Sequence, residues 1–280
     1  MRFLPREMRP GVAAGYLLAR ATDTVADTVD ANLDERLALL SMMGAVIDGS
    51  ASRDAATACF GRLGVLSAAQ PHRGEGELLA RFPECLALLG SLSLREQALV
   101  RTVLESIVQG QSWDLEYFAS HQVVSCPEQL EHYTYLVAGC VGEFWTRLGL
   151  LVMGNGFSNR PEEELLRWGV HYGMGLQLVN ILRDRDEDRT RGRDYLPPPG
   201  DALPWLEQAE RWLKEGVFYA ESLHNGRLRF STVLPAWLGL DTLALLRSGV
   251  PAGKGKARIK RSRVYSRMWQ AFVFAWKEAV

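Results

Sequence analysis

Apolar residues recur along this chain at the three- and four-residue steps of an α-helix, and period-two alternation is almost absent. The pattern predicts a first helix from about Pro10 to Asp27, introduced by Pro5 and Pro10. A second spans Asn32 to Ile47, with Leu33, Leu37, Leu40 and Met43 at helical spacing and Asp48–Gly49 as its stop. Gly74 to Gly76 reads as a loop, followed by helices over about Glu77–Gly90 and Ser93–Gly110, the latter running on toward Asp114. Glu128–Gly154 and Pro161–Asp188 read as two long helices. Pro197, Pro198 and Pro199 stop any helix, and Leu203–Leu223 pairs antiparallel with Leu228–Arg247 through a His224–Asn225–Gly226 turn. The expected fold is all-α: one helical bundle, residues 1–280, around a central hydrophobic cavity, with no internal repeat.

Composition changes this picture little. The chain has 280 residues, 47% of them hydrophobic, enough to bury a sizeable core. A net charge of −1 gives no pull toward nucleic acid, and none is expected as a partner. Cys59, Cys85, Cys126 and Cys140 lack ligand spacing and read as buried, reduced thiols of a cytoplasmic protein. His72, His121, His132, His171 and His224 show no metal-ligand spacing either. Arg2, Arg6, Glu7 and Arg9 leave no apolar leader at the start. The longest apolar stretches are broken by Glu143 and Arg147, or by Pro235 and Asp241, so no membrane span is expected and the protein reads as soluble. Seven basic residues gather between Lys254 and Arg267, ahead of apolar Met268–Trp276. The simpler reading is a basic loop leading into a last core helix. The other is a basic amphipathic surface resting on anionic lipid at the inner face of a membrane. Nothing in the sequence signals an oligomeric state.

The chemistry concentrates in two stretches. In Gly173–Pro197 an apolar helical segment runs into Asp184, Asp186, Glu187 and Asp188. Asp184 and Asp188 are four apart, so they share a helix face with Cβ atoms ~6 Å apart, and their mutual repulsion costs a few tenths of a kcal/mol. A hard divalent cation between them would reverse that sign. The plainer alternative is a solvated helix end with Arg183, Arg185 and Arg189 as partners. A second pair, Asp23 and Asp27, repeats the spacing, and Tyr16, Arg20, Asp23 and Asp27 fall within a ~60° stripe. Two such acidic faces turned toward each other would hold several Mg²⁺ ions, whose shells substrate phosphates usually complete. In Glu128–Gly154, small Ala138, Gly139 and Gly142 let a neighbouring backbone approach. Tyr133, Val137, Cys140 and Phe144 form a mainly apolar strip, which is either core packing or the wall of a hydrocarbon pocket with one phenol.

With YLLARATDTVAD (Tyr16–Asp27), YTYLVAGCVG (Tyr133–Gly142) and QLVNILRDRDEDRTRGRDYLP (Gln177–Pro197) in that order, the chain resembles the squalene/phytoene synthases, the head-to-head prenyl transferases. The resemblance implies an α-helical isoprenoid-synthase fold and Mg²⁺-bridged diphosphates. It implies that Asp23, Asp27, Asp184 and Asp188 hold metal, with Glu187 at an acidic position beside them. Tyr16, Arg20, Gln177, Asn180, Arg183 and Arg193 match positions lining the diphosphate and cation pocket, with Val137 and Cys140 on the hydrocarbon wall. Tyr133 matches a tyrosine implicated in diphosphate departure or proton removal. The implied reaction is condensation of two farnesyl diphosphates to squalene with NADPH. The alternatives are dehydrosqualene, presqualene diphosphate or phytoene as product, and a non-catalytic assembly factor of the same fold. The sequence departs from the family at its start, where no Ser-x-x-Phe segment precedes Phe3, as for a late start. It departs again at Gln111, where the family has methionine, and at Ala26 and Thr28, where further acids often stand.

Overall fold

The computed structural model describes residues 3–28, 31–248 and 258–277. Among them every regular element is helical, as the periodicity predicts, and two isolated bridges (Val123 with Asp194, Ser158 with Leu223) are the β contacts formed. The contacts divide the chain into two units, Met8–Ser120 and Arg2–Glu7 with His121–Val280.

The first unit holds α1 (Arg9–Asp27), α2 (Leu33–Asp48), α3 (Arg53–Ala69), α4 (Arg73–Ala80), α5 (Phe82–Gly90) and α6 (Leu94–Ser120). α2 starts at a capping box: Asn32 accepts from Glu35 N–H, while the Glu35 carboxylate reaches back to Asn32 N–H. It stops at Gly49, whose φ of 89° suits glycine. α3 is a helix the periodicity did not reveal. Gly61 and Gly64 interrupt its pattern and only Cys59 and Leu63 are buried, but Ser52 caps it by accepting from Ala55 N–H. Gly74 to Gly76 lies within α4 and is not a loop. Gly76 is there for closeness, since a Cβ on it would stand 2.7 Å from the Ser67 carbonyl oxygen of α3. The expected helix over 77–90 is two helices that restart at Arg81, because Pro83 cannot donate to the preceding turn. α6 runs six residues beyond Asp114, and α1 and α2 both pack along it. Leu18, Ala21 and Val25 of α1 are fully buried.

The second unit holds α7 (Pro127–Thr134), a π-helical turn (Tyr135–Gly139), α8 (Cys140–Met153), α9 (Glu162–Thr190), α10 (Leu203–Ser222), α11 (Gly226–Arg247) and α12 (Arg261–Trp276). α9 is its spine, in contact with α7, the π turn, α8, α10 and α11. The small residues foreseen on α8 do bring backbones together. A Cβ on Gly142 would lie 1.9 Å from the Gly169 carbonyl oxygen of α9, and one on Gly173 would lie 2.2 Å from that of Ala138. By length and composition the continuous segment Pro127–Gly156 could cross a membrane, contrary to the expectation drawn from Glu143 and Arg147. Here it packs along α9, with Glu143 and Arg147 paired to each other at 2.9 Å.

α12 begins at Arg261, so Arg261, Arg263 and Arg267 of the expected basic loop are helical. Lys254 and Lys256 lie outside the described residues. Ala271 of α12 is buried in a cluster with Ala220 of α10 and Val233 of α11.

Candidate active site

In the first unit, α1 buries its apolar face and leaves Tyr16, Arg20, Asp23 and Asp27 on the opposite one, the stripe read from the sequence. Arg20 donates from Nη1 to Asp23 and from Nη2 to Glu75 of α4, each at 2.5 Å. Burial and the nearby Asp27 carboxylate push the Asp23 pKa up, Arg20 opposing them. Burial works against the Arg20 charge, but Asp23 and Glu75 together hold its pKa above the ordinary value. Glu75, invisible as a site residue because it lies 55 positions from Arg20, is thus a third carboxylate at this cluster. Tyr16 and Arg20 also line a 710 Å³ hollow with His72, Glu75, Arg81 and Leu88. Gln111 of α6 buries its Oε1 without a hydrogen-bond partner among the described residues, a polar atom that methionine would not bring.

In the second unit, α9 carries Gly173, Gln177, Asn180, Asp184 and Asp188 at steps of four and three, so one helix face extends about 22 Å from glycine to acid. Two cavities follow it. A 190 Å³ chamber is walled by Asp184, Glu187, Asp188, Arg191, Tyr133 and Tyr195, with Gln177, Asn180 and Ile181. A 420 Å³ cavity is lined by Val137, Ala138, Val141, Trp145, Tyr172, Leu176 and Pro235 among others, and Gln177 and Asn180 border it too. Burial, then the Asp184 charge, push the Asp188 pKa up. The ionised form is therefore disfavoured there and at Asp23, a cost that a bound divalent cation would remove. Carboxylates paired at this spacing are the oxygen donors that a hard divalent cation takes. Among the described residues no three His, Cys, Asp or Glu side chains are arranged around one metal position, so a ligand's oxygens would have to complete each shell.

The arginines divide their roles. Arg183 forks its own neighbour Asp184, Nε to Oδ1 at 2.9 Å and Nη2 to Oδ2 at 2.6 Å, and these bonds raise its pKa. Arg191 pairs with Glu187 at 2.6 Å. Arg193 lies close enough to lower the Asp188 pKa. Arg185 and Arg189 do not serve the acidic pair at all. Both donate to Asp194, a buried carboxylate that also accepts from Leu196 N–H. Asp194 further exchanges backbone hydrogen bonds with Gln122 and Val124. This places the next residue, Tyr195, in a stack on Tyr133 with ring centroids 5.2 Å apart.

Cys140, expected on the hydrocarbon wall, is placed differently from Val137. Cys140 is 4% exposed, donates to the Leu136 carbonyl oxygen at 2.9 Å and borders neither cavity. Burial pushes its pKa up to about 12. The residues of this stretch that line the apolar cavity are 137, 138, 141, 142 and 145, an arc of about 140° at helical spacing from which 140 and 144 are absent. Val137 stays on the wall; Phe144 is core.

This all-helical chain sets an acid-walled chamber and an apolar cavity side by side along one helix, with Gln177 and Asn180 lining both. A family model described as squalene/phytoene synthase matches residues 1–198, and the chain belongs to that family. It is 32% identical over 199 residues to the presqualene diphosphate synthase of Rhodopseudomonas palustris, covering 70% of this chain and 56% of that protein. It is 26% identical over 228 residues to the squalene synthase of Yarrowia lipolytica, covering 80% and 47% respectively. The chain thus spans about half the length of these curated relatives. A solved structure of TcSQS with the ligand E5700 shares the fold, with a TM-score of 0.74 at 20% identity over 98% of this chain and 82% of that one.

Proposed function

We propose that the chain is a head-to-head prenyl transferase that joins two farnesyl diphosphates into presqualene diphosphate and, with NADPH as hydride donor, carries it on to squalene. One observation supports this above the rest. Gln177 and Asn180 stand between an acid-walled chamber and an apolar cavity whose 420 Å³ lies in the small-ligand range. A molecule with a dense anion at one end and a branched hydrocarbon at the other matches both.

A prenyl diphosphate ionises slowly because its leaving group gathers negative charge. Mg²⁺ held by Asp184 and Asp188, with Glu187 beside them, and by Asp23 and Asp27, would supply compensating positive charge. Arg183, Arg191 and Arg193 beside the second pair, and Arg20 beside the first, would each donate to phosphate oxygens bound at their own pair. Gln177 and Asn180 fix the head of the prenyl chain, while Val137 and its neighbours keep water from the allylic cation. The C1–O bond of the first donor breaks as the C2–C3 double bond of the second attacks C1. Loss of one proton closes the cyclopropane, giving presqualene diphosphate, pyrophosphate and H⁺. The Tyr133 hydroxyl would take part in that proton transfer, a role supported by its position on the wall of the acidic chamber. Release at presqualene diphosphate is a second reading, favoured by the 32% identity to a synthase of that name.

Farnesyl diphosphate and Mg²⁺, with and without NADPH, separate these readings when the extracted products are identified. Squalene appearing only with NADPH supports the first; presqualene diphosphate accumulating regardless of NADPH supports the second. Dehydrosqualene, or phytoene from C20 donors, would correct the fate or the donor. Absence of any Mg²⁺-dependent pyrophosphate release would leave a non-catalytic protein. Asp23→Asn and Asp184→Asn should each lower turnover by about a hundredfold or more with the helical signal intact. Full activity in either would sink the assignment.

A further inference from the structure

α12 is apolar on two sides, and only one of them is covered. Its inner side seats Ala271 and Ala275 against α10 and α11, and Arg263 and Arg267 both fork Asp241 of α11 at 2.7–2.9 Å. Arg229 adds a hydrogen bond to the Lys277 carbonyl at the far end. The helix is therefore pinned at both ends. Its outer side carries Tyr265, Met268, Trp269, Phe272, Val273 and Trp276, exposed by 42% to 68%. Steps of three, one, three, one and three put all six in an arc of about 140°. Phe272 sits between Trp269 at 5.9 Å and Trp276 at 4.6 Å, so the rings already form a cluster. The sequence of this helix and its flanks carries one sign of charge: residues 258–277 hold six Lys or Arg and no Asp or Glu, in a chain of net charge −1. Arg258, Lys260 and Arg261 gather at the N-terminal end of α12, where the helix dipole is itself positive and an anionic partner would relieve the repulsion, while Arg263 is already paired with Asp241.

We infer that this face docks the protein onto the surface of an anionic lipid bilayer. Trp and Tyr favour the headgroup boundary, Phe, Met and Val go slightly deeper, and the basic ends meet lipid phosphates. A second copy is a poor occupant. An isologous contact sets the same patch against itself, and antiparallel α12 helices would bring Lys260 and Arg261 against Lys277, like charge on like. The inference rests on the surface alone and does not require the proposed reaction, although an oily product would leave such an enzyme directly into lipid.

Flotation of the full chain with vesicles of phosphatidylcholine, or of phosphatidylcholine and phosphatidylglycerol in equal parts, tests it. The mixed vesicles should bind about a hundredfold more tightly, from three unpaired basic residues near the surface. Salt should weaken that binding, and tryptophan emission should shift to the blue. Trp269→Ala with Trp276→Ala should weaken it by about tenfold or more, with no change in thermal stability because both rings are exposed. Arg258→Glu with Lys260→Glu and Arg261→Glu, which leaves the aromatic face intact, should remove the preference for phosphatidylglycerol. Protein that stays unbound, or that binds both vesicles equally, overturns the inference. So does a dimer in sedimentation that Trp269→Ala abolishes, since the face would then belong to a second copy.

Discussion

Asp194→Asn tests a buried carboxylate of the second unit that accepts four hydrogen bonds. Its oxygens accept from Arg185 Nε at 3.1 Å and Nη2 at 3.0 Å, from Arg189 Nε at 2.8 Å and from Leu196 N–H at 3.1 Å. Arg189 is half exposed and its share is mostly screened; Arg185 and Asp194 are not. Asparagine keeps the shape and takes away the charge. With the amide oxygen on the Leu196 side, the Arg185 Nε bond falls to neutral strength and the Nη2 bond is lost, because an N–H donor now stands where Oδ2 accepted, a loss of about 2 kcal/mol together. Asp194→Ala also strands Arg185 and the Leu196 N–H, and should cost about 4 kcal/mol. Urea unfolding at neutral pH, read as a shift in midpoint at constant slope, measures both. The pH dependence gives a second check. Burial alone would raise the Asp194 pKa, but the Arg185 and Leu196 hydrogen bonds and the arginine charges outweigh it and hold it below the usual 3.8. A depressed carboxylate pKa contributes stability that is complete above the unfolded value and is lost as pH falls through the folded one. The gap between wild type and Asn should therefore narrow as pH drops below about 4. A gap under about 0.5 kcal/mol at pH 7, or one that does not narrow in acid, would refute the role assigned here.

Two further outcomes are expected. Gly142→Ala drives a Cβ to 1.9 Å from the Gly169 carbonyl oxygen, so α8 and α9 must separate. A loss of about 3 kcal/mol in thermal or urea unfolding follows, and an unchanged midpoint would mean that the helices do not meet this closely. Val137→Phe should obstruct the apolar cavity and lower turnover of a C15 donor, while Cys140→Ala, away from both cavities, should leave product and KM unchanged. Equal effects of the two would mean that Cys140 faces the substrate as Val137 does.

The sequence by itself determined the all-helical class, most helix boundaries and the two acidic pairs. All of these follow from residues within a turn or two of each other. Asn32 with Glu35 caps α2 locally, and Asp184 with Asp188 share a face on any α-helix. The glycines split on the same ground. Gly49 is a helix stop that its own φ requires, whereas Gly76 was misread as a turn because the carbonyl it must approach belongs to another helix. Only the tertiary structure decided which residues meet across many positions. It brought Glu75 to Arg20, Tyr195 onto Tyr133, and Arg185 and Arg189 to Asp194 and away from the acidic pair. It also put Cys140 in the core and left the aromatic side of α12 uncovered. Periodicity records which positions are apolar. What they face is set by contacts between helices distant in sequence.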